Sequence, residues 1–140
     1  MSKQKIFMAG VGGMLGEAFH HVFRETHDIL CTDKDVNAPW LSFLDFRDRD
    51  EYVGQVEAFA PDYLFHIGAH TSLELCEQEI DDAYATNTLA VENAVWIANK
   101  LDIPLLYIST AGIFDGAQET YDDWDQPNPL GHYARSKYMG

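Results

Sequence analysis

The stretch Gly10-Val-Gly-Gly13-Met-Leu-Gly16 decides the fold of this 140-residue chain. A short apolar run with the length of a strand, Lys5–Ala9, comes before it, and apolar side chains recur at helical spacing over Met14–Phe23. Between a strand and a helix, the first glycine permits a tight turn, the second lets backbone approach a pyrophosphate, and the third allows close helix packing. The spacing therefore predicts a dinucleotide-binding turn.

Strands and helices alternate along the rest of the chain. Further strands are predicted at 29–32, 41–44, 63–67 and 104–109, and helices at 48–59 and 80–100. This alternation is typical of a doubly wound parallel sheet, so we expect one Rossmann-like, three-layer α/β/α domain that binds NAD(P) over residues 1–140. The acidic, proline-containing segment 118–131 is expected to form one long surface loop.

Composition and charge exclude several classes of protein. Hydrophobic residues make up 46% of the chain, enough for the core of one domain. Nine Lys and Arg against 23 Asp and Glu give a net charge of −14, which repels nucleic-acid phosphates and anionic membranes. No apolar run has the length of a membrane span. Cys31 and Cys76 lack the density of a disulfide scaffold, so we expect a cytoplasmic protein with no nucleic-acid or membrane partner.

Asp33 lies 23 positions after Gly10, at the end of the second predicted strand. A carboxylate at that place accepts hydrogen bonds from ribose hydroxyls and repels a 2′-phosphate, which favours NAD over NADP. Lys34 has the opposite effect. Both cofactors therefore stay open, with NAD preferred.

Tyr133 and Lys137 are four residues apart, so on a helix they share one face. A free phenol has a pKa near 10, and a neighbouring ammonium favours the phenolate, which suits a tyrosine that acts as acid and base near neutral pH. Such pairs also occur by chance on surface helices. The glycine turn is what makes the pair informative here.

These motifs, in this order, resemble the extended short-chain dehydrogenase/reductase family, and within it the dTDP-4-dehydrorhamnose reductase-like and NAD-dependent epimerase-like branch. The resemblance covers essentially the whole chain. Ala111-Gly112 stands where that branch usually has an acidic-aromatic pair, which leaves the particular sugar open. The resemblance is carried by Gly10, Gly13 and Gly16, by Asp45-Phe46, by the segments 66–71 and 108–116, by Asn87, and by Tyr133 with Lys137.

The resemblance implies an NAD(P)-dependent oxidoreductase that reduces a nucleotide-sugar ketone, such as a dTDP-4-dehydro-6-deoxyhexose. Tyr133 would donate the proton, Thr110 would hydrogen-bond the substrate oxygen, and Lys137 would bind the nicotinamide ribose and tune Tyr133. Asp45 would accept from the adenine amino group. The residues expected at the cofactor are Gly10, Gly13, Met14, Leu15, Gly16, Asp33, Lys34, Asp45, Phe46, Gly68, Ala69, His70, Asn87, Ser109, Tyr133 and Lys137.

Other polar residues of the same region have less certain roles. Thr71 and Glu74 face either the substrate or solvent. Asn87 interrupts a face of small residues, which is typical of a buried amide with satisfied hydrogen bonds, and the resemblance makes it a support of the active site. His66 and His70 have Glu74 and Glu77 nearby but no third ligand at useful spacing, so we expect no metal.

Two other functions remain open. One is a nucleotide-sugar epimerase, and the other is a non-catalytic NADP-binding module similar to the regulatory subunit of methionine adenosyltransferase. The set Thr110, Tyr133 and Lys137 favours an enzyme, because a scaffold has no chemical need for it. Family members continue past the position of Gly140, so we expect the carboxyl-terminal substrate region to be absent, the chain alone to be inactive, and its uncovered apolar faces to permit a homodimer.

Overall fold

A computed structural model describes residues 3–140 of the chain, and its centre is a parallel sheet. The five strands have the spatial order β3-β2-β1-β4-β5, and every neighbouring pair is parallel. The order reverses between β1 and β4, where the chain changes from one half of the sheet to the other. The predicted doubly wound α/β fold is confirmed. The strands are β1 (Lys5–Ala9), β2 (Asp28–Asp33), β3 (Leu41–Phe43), β4 (Tyr63–His66) and β5 (Leu105–Tyr107).

The helices connect these strands and cover both faces of the sheet. Asp48 begins α2 by accepting the backbone N–H of Glu51 at 3.1 Å, and Ala60 ends it in the left-handed region just before Pro61. Among residues 3–140, no helix is both long enough and apolar enough to cross a membrane. The helices are α1 (Met14–Phe23), α2 (Arg49–Phe59), α3 (Leu73–Gln78), α4 (Ile80–Tyr84), α5 (Ala90–Leu101) and α6 (His132–Met139).

The long helix predicted over 80–100 is present as a helical segment, but it is not regular throughout. A π-helical turn, Ala85–Leu89, separates α4 from α5, and it buries three polar residues, Thr86, Asn87 and Thr88. A single extra residue in a turn hardly changes the apolar spacing, so the sequence pattern does not reveal it. The short helix α3 was also missed. Its start is capped by Ser72, whose hydroxyl accepts the N–H of Leu75 at 3.3 Å.

The core has two parts, one on each face of the sheet. Phe7 belongs to the part covered by α2 and α5, whereas Ile6 and Met8 belong to the part covered by α1. The short strand β1 is therefore buried on both faces, which explains why its residues 6–9 are all apolar. This arrangement is the three-layer domain that the sequence predicts.

The segment after β5 forms the long surface loop that was predicted, with no helix or strand between Ile113 and His132. Asp115 organises this loop by accepting hydrogen bonds from the Tyr121 hydroxyl at 2.6 Å and the Asn128 side chain at 2.9 Å. These hydrogen bonds lower the pKa of Asp115 to about 2. The loop therefore has a defined path to α6.

His66, at the end of β4, is a fully buried polar residue of the core. Its Nδ1 lies 3.1 Å from the Tyr52 hydroxyl, and its Nε2 has no hydrogen-bond partner within the described part of the chain. Burial disfavours the imidazolium and lowers the pKa of His66 from 6.5 to about 3. The folded protein thus holds this histidine neutral.

Acidification from pH 7 to pH 5 should therefore cost about 2 kcal/mol of unfolding free energy through His66 alone. Below pH 6.5 the histidine is protonated in the unfolded chain but stays neutral in the folded protein. The free energy of unfolding therefore falls as the pH falls towards 3. Urea unfolding at the two pH values checks this. His66→Asn should remove that part of the loss, and His21→Asn, at an exposed position of α1, is the control. An equal loss in His66→Asn and the parent would contradict the prediction.

Candidate functional site

A cavity of about 720 Å³ opens where the strand order reverses, at the carboxyl ends of β1 and β4. Open α/β sheets bind their ligands at this place. The glycine turn forms one wall, and its path is fixed by backbone hydrogen bonds from Gly10 and Val11 to the carbonyl of Thr32, at 2.8 and 3.1 Å. Tyr133 and Lys137 line the same cavity, although they are more than a hundred residues away in sequence.

The three glycines of the turn have different structural roles. Gly10 has φ +76°, and a Cβ atom there would overlap the backbone of Gly68 and lie 2.9 Å from the ring of Phe46. A Cβ on Gly16 would overlap the backbone of Val11, where α1 approaches the turn. Gly13 has no atom within 4 Å of such a Cβ and lines the cavity. The first and third glycines are therefore needed by the fold, and Gly13 keeps the cavity wall free of a side chain.

Asp33 lines the cavity, but its carboxylate also holds the glycine turn. One oxygen accepts the N–H of Gly12 at 2.8 Å, and the other accepts the N–H of Asp35 at 2.9 Å. Lys34, next to it, also lines the cavity. The carboxylate thus stabilises the turn in addition to any ribose contact. Its presence therefore does not by itself indicate selection of NAD.

Asp45 lies at the cavity as predicted, but its carboxylate is already paired. Both of its oxygens accept hydrogen bonds from Arg47, the shortest at 2.7 Å, and the guanidinium also contacts Asp82 on α4 at 2.6 Å. The hydrogen bonds from Arg47 lower the pKa of Asp45. Sequence analysis missed Arg47 and Asp82, because no motif connects two residues 35 positions apart.

Lys137 is held on α6 with its ammonium inside the protein. It is 4% exposed, and its Nζ donates to the carbonyl of Ile108 at 2.6 Å and lies 4.2 Å from the centre of the Tyr107 ring. Burial lowers the pKa of Lys137 to about 8. The lysine is therefore a fixed cation at the cavity wall.

The start of α6 is capped by a residue from another helix. Gly131, its N-cap, has no side chain to offer, and the carboxylate of Glu77 on α3 accepts the backbone N–H of His132 at 2.6 Å. A carboxylate at a helix start also interacts favourably with the helix dipole. Glu77 thus helps to place Tyr133, one residue further along, and sequence spacing could not show this.

Asn87 supports the site from behind instead of contacting its cavity. It is 1% exposed and does not line the cavity, so its assignment as a cofactor contact stays a prediction. Its side chain accepts the N–H of His70 at 2.7 Å and donates to the carbonyl of His70 at 2.9 Å and to the Ser136 hydroxyl at 3.0 Å. The buried amide has satisfied hydrogen bonds, as predicted, and it ties the loop after β4 to α6.

The predicted residues and the residues that line the cavity overlap only in part. Thr110 and Glu74 lie outside the lining of the cavity: the Thr110 hydroxyl oxygen accepts the N–H of Gly112 at 3.1 Å, and Glu74 is exposed on α3. Thr86, Glu79 and Asp82 line the cavity without having been predicted. Predicted residues that do line it also include Met14, Leu15, Phe46, Gly68, Ala69, His70, Thr71 and Ser109.

The sheet order, the glycine turn and the cavity at the reversal point define a Rossmann-like α/β domain. More specifically, the chain belongs to the RmlD substrate binding domain family, whose pattern it matches over residues 4–140. The resemblance inferred from the sequence motifs is therefore confirmed.

Relatives within and around this family have more than one role. The dTDP-4-dehydrorhamnose reductase of Aggregatibacter actinomycetemcomitans is 27% identical over 139 residues, which cover 97% of this chain and 45% of that protein. Methionine adenosyltransferase 2 subunit beta of Danio rerio is 28% identical over 138 residues, which cover 98% of this chain and 42% of that protein. The chain spans less than half the length of these relatives.

Solved structures agree with the family. The crystal structure of dTDP-4-dehydrorhamnose reductase from Bacillus anthracis, in complex with NADP, matches with a TM-score of 0.89 and 28% identity. The match covers 99% of this chain and 48% of that one. Almost the whole of the present chain therefore aligns with about half of that reductase.

Proposed function

We propose that this chain is the cofactor-binding part of an NADP-dependent reductase that acts on the ketone of a nucleotide sugar, such as a dTDP-4-dehydro-6-deoxyhexose. The observation that carries the proposal is that Tyr133 and Lys137 share one cavity with the glycine turn. A scaffold that only holds a cofactor has no need for a phenol and a buried ammonium at that wall. The named relatives support a reductase of this kind.

The residues of the cavity fit a dinucleotide. Gly13, at the N-cap of α1, leaves the helix start open to a pyrophosphate, since backbone N–H groups there bind anions. Asp33 and Lys34 would contact the adenosine ribose, and Lys137 the nicotinamide ribose. The bound cofactor would supply a hydride to the ketone carbon.

The proton for the ketone oxygen would come from this chain. Tyr133 is the phenol at the cavity wall. Thr110 lies outside the lining but directly follows Ser109, which lines the cavity, and its hydroxyl would donate to the substrate oxygen while its oxygen accepts the N–H of Gly112. Lys137 is anchored by the carbonyl of Ile108 and lines the same cavity as Tyr133, so it supplies a fixed positive charge at that wall. This charge would favour the phenolate that remains after proton transfer.

The preference for NAD that the sequence favoured is not supported. The related reductase of Bacillus anthracis was crystallised with NADP. In the present chain both oxygens of Asp33 accept backbone hydrogen bonds, and Lys34 lies beside them at the cavity. We therefore propose NADP as the cofactor, with Lys34 available to a 2′-phosphate.

A regulatory, non-catalytic role is the alternative. The similarity to methionine adenosyltransferase 2 subunit beta supports it, and that similarity covers nearly the whole chain. In that case the cavity would bind a nucleotide for assembly alone. This alternative predicts cofactor binding without turnover. The two proposals therefore differ in whether Tyr133 has a role in a reaction. A nucleotide-sugar epimerase would use the same cavity and is the alternative within the enzyme class.

Calorimetric titration with NADPH and with NADH tests the cofactor proposal. Gly13→Asp should weaken NADPH binding by at least about tenfold, because a carboxylate would face the pyrophosphate. The fold should survive, since aspartate is a favoured N-cap residue and no atom lies within 4 Å of the new Cβ.

Gly54→Asp is the matched control for this titration. Gly54 is exposed on α2, lies outside the cavity, and likewise has no atom within 4 Å of a Cβ. It should bind NADPH as the parent does. Equal binding by Gly13→Asp and Gly54→Asp, or tighter binding of NADH than of NADPH by the parent, would contradict the proposal.

A further inference from the structure

We propose that His70, Glu79 and Asp82 form a binding site for a divalent cation of the zinc type in the wall of the cavity. The nearest ligand atoms of these three side chains all lie within 4.8 Å of one another. His70 comes from the loop after β4, Glu79 from the break between α3 and α4, and Asp82 from α4. The tertiary structure brings them together, and of the four residues weighed in the sequence only His70 takes part.

His70 is held in place at both its backbone and its ring. The amide of Asn87 bonds both its backbone N–H and its carbonyl, at 2.7 and 2.9 Å. On the ring, Nδ1 lies 3.5 Å from the sulfur of Cys76, which leaves Nε2 directed at the two carboxylates. A second partner on the far ring nitrogen fixes the orientation of a ligating imidazole.

The distances are close to those of a coordination shell. Nε2 of His70 lies 3.9 Å from Oε2 of Glu79 and 3.8 Å from Oδ2 of Asp82. Donors around a tetrahedral zinc ion, at about 2.0 to 2.2 Å from the metal, are about 3.4 Å apart. Glu79 and Asp82 are partly exposed, so small rotamer changes would close the difference.

A second observation points to a ligand at the same wall. Thr86 is 7% exposed and lines the cavity, yet its hydroxyl oxygen has no hydrogen-bond partner in residues 3–140. It lies in the π-helical turn that follows α4, four residues after Asp82 in the sequence. A buried hydroxyl without a partner is costly, and a bound ion with its water would satisfy it.

The carboxylates of this group supply negative charge. Asp45, Glu79 and Asp82 line the cavity together with the cations Lys34, Arg47 and Lys137, and Arg47 pairs with Asp45 and Asp82. The oxygen Oδ1 of Asp82 is used by Arg47, which leaves Oδ2 on the side of His70. One imidazole nitrogen with carboxylate oxygens is a donor set that suits Zn²⁺ better than Mg²⁺, which prefers oxygen ligands alone.

Calorimetric titration of the chain with Zn²⁺, in the absence of nucleotide, tests this site. We expect saturable binding of one ion, with Glu79→Gln and Asp82→Asn each weakening it by at least about tenfold. Co²⁺ should give visible absorption bands that both variants change. Mg²⁺ should bind far more weakly than Zn²⁺.

Asp81→Asn is the matched control, because it removes the same charge from an exposed position of the same helix. It should bind Zn²⁺ as the parent does. Glu79→Gln leaves the pair between Arg47 and Asp82 intact, so it remains informative if Asp82→Asn alters the fold. Absence of saturable Zn²⁺ binding, or an equal affinity in Asp81→Asn and both ligand variants, would overturn the proposal. Because no nucleotide is present, neither result depends on the proposed cofactor.

Discussion

In the full-length reductase proposed to contain this chain, Tyr133→Phe should lower turnover by a factor of about 10² to 10⁴. Phenylalanine keeps the ring at the cavity wall but has no proton to give to the ketone oxygen. Binding of NADPH should stay nearly unchanged, because the glycine turn and Lys137 are untouched. Steady-state kinetics with a nucleotide-sugar ketone, together with a titration of NADPH, measures both quantities.

Tyr138→Phe is the control for this experiment. Tyr138 lies on the same helix, is 52% exposed, and does not line the cavity. Its substitution should leave turnover and affinity as they are in the parent. Turnover that survives in Tyr133→Phe would contradict the role of this phenol, whereas normal NADPH binding without turnover in the unaltered enzyme would favour the regulatory alternative.

Gly10→Ala should lower the unfolding free energy by about 2 to 5 kcal/mol. Gly10 has φ +76°, a conformation that L-residues adopt at a cost, and the added methyl group would overlap the backbone of Gly68. The methyl group would also lie 2.9 Å from the ring of Phe46, so it could not move away from Gly68 in that direction. Urea unfolding followed by circular dichroism measures the change.

Gly13→Ala gives the comparison, because the same methyl group enters open space three residues away. We expect a loss of at most about 1 kcal/mol for that variant, because alanine is a poorer N-cap residue than glycine. If Gly10→Ala were as stable as Gly13→Ala, the close approach between the turn and Gly68 would not be a feature of the folded protein.

Much of the fold could be predicted because its signals are local. β1 is apolar on both faces, and the glycines that follow it are spaced for a turn into a helix. The π-helical turn around Asn87 was not predictable, because one inserted residue leaves the helical spacing almost unchanged. The six-residue helix α3 was missed because so short a segment has little periodicity.

In the candidate site, too, local relations were predictable and long-range contacts were not. Tyr133 and Lys137 share a helix face through their spacing alone, so their relation was visible in the sequence. The pairing of Arg47 with Asp82, and the cap that Glu77 provides for α6, join residues 35 and 55 positions apart. Such contacts depend on how helices pack, and one sequence carries no signal of them.

The sequence by itself determined the order of strands and helices, the glycine turn and the tyrosine-lysine pair, since each depends on neighbours within one or two turns. Only the tertiary structure decided that Asp33 holds the glycine turn, that Asn87 lies behind the cavity, and that His70 faces Glu79 and Asp82. The physical reason is that side chains satisfy their hydrogen bonds and charges with whatever partners the packed layers bring near, and those partners come from distant parts of the chain.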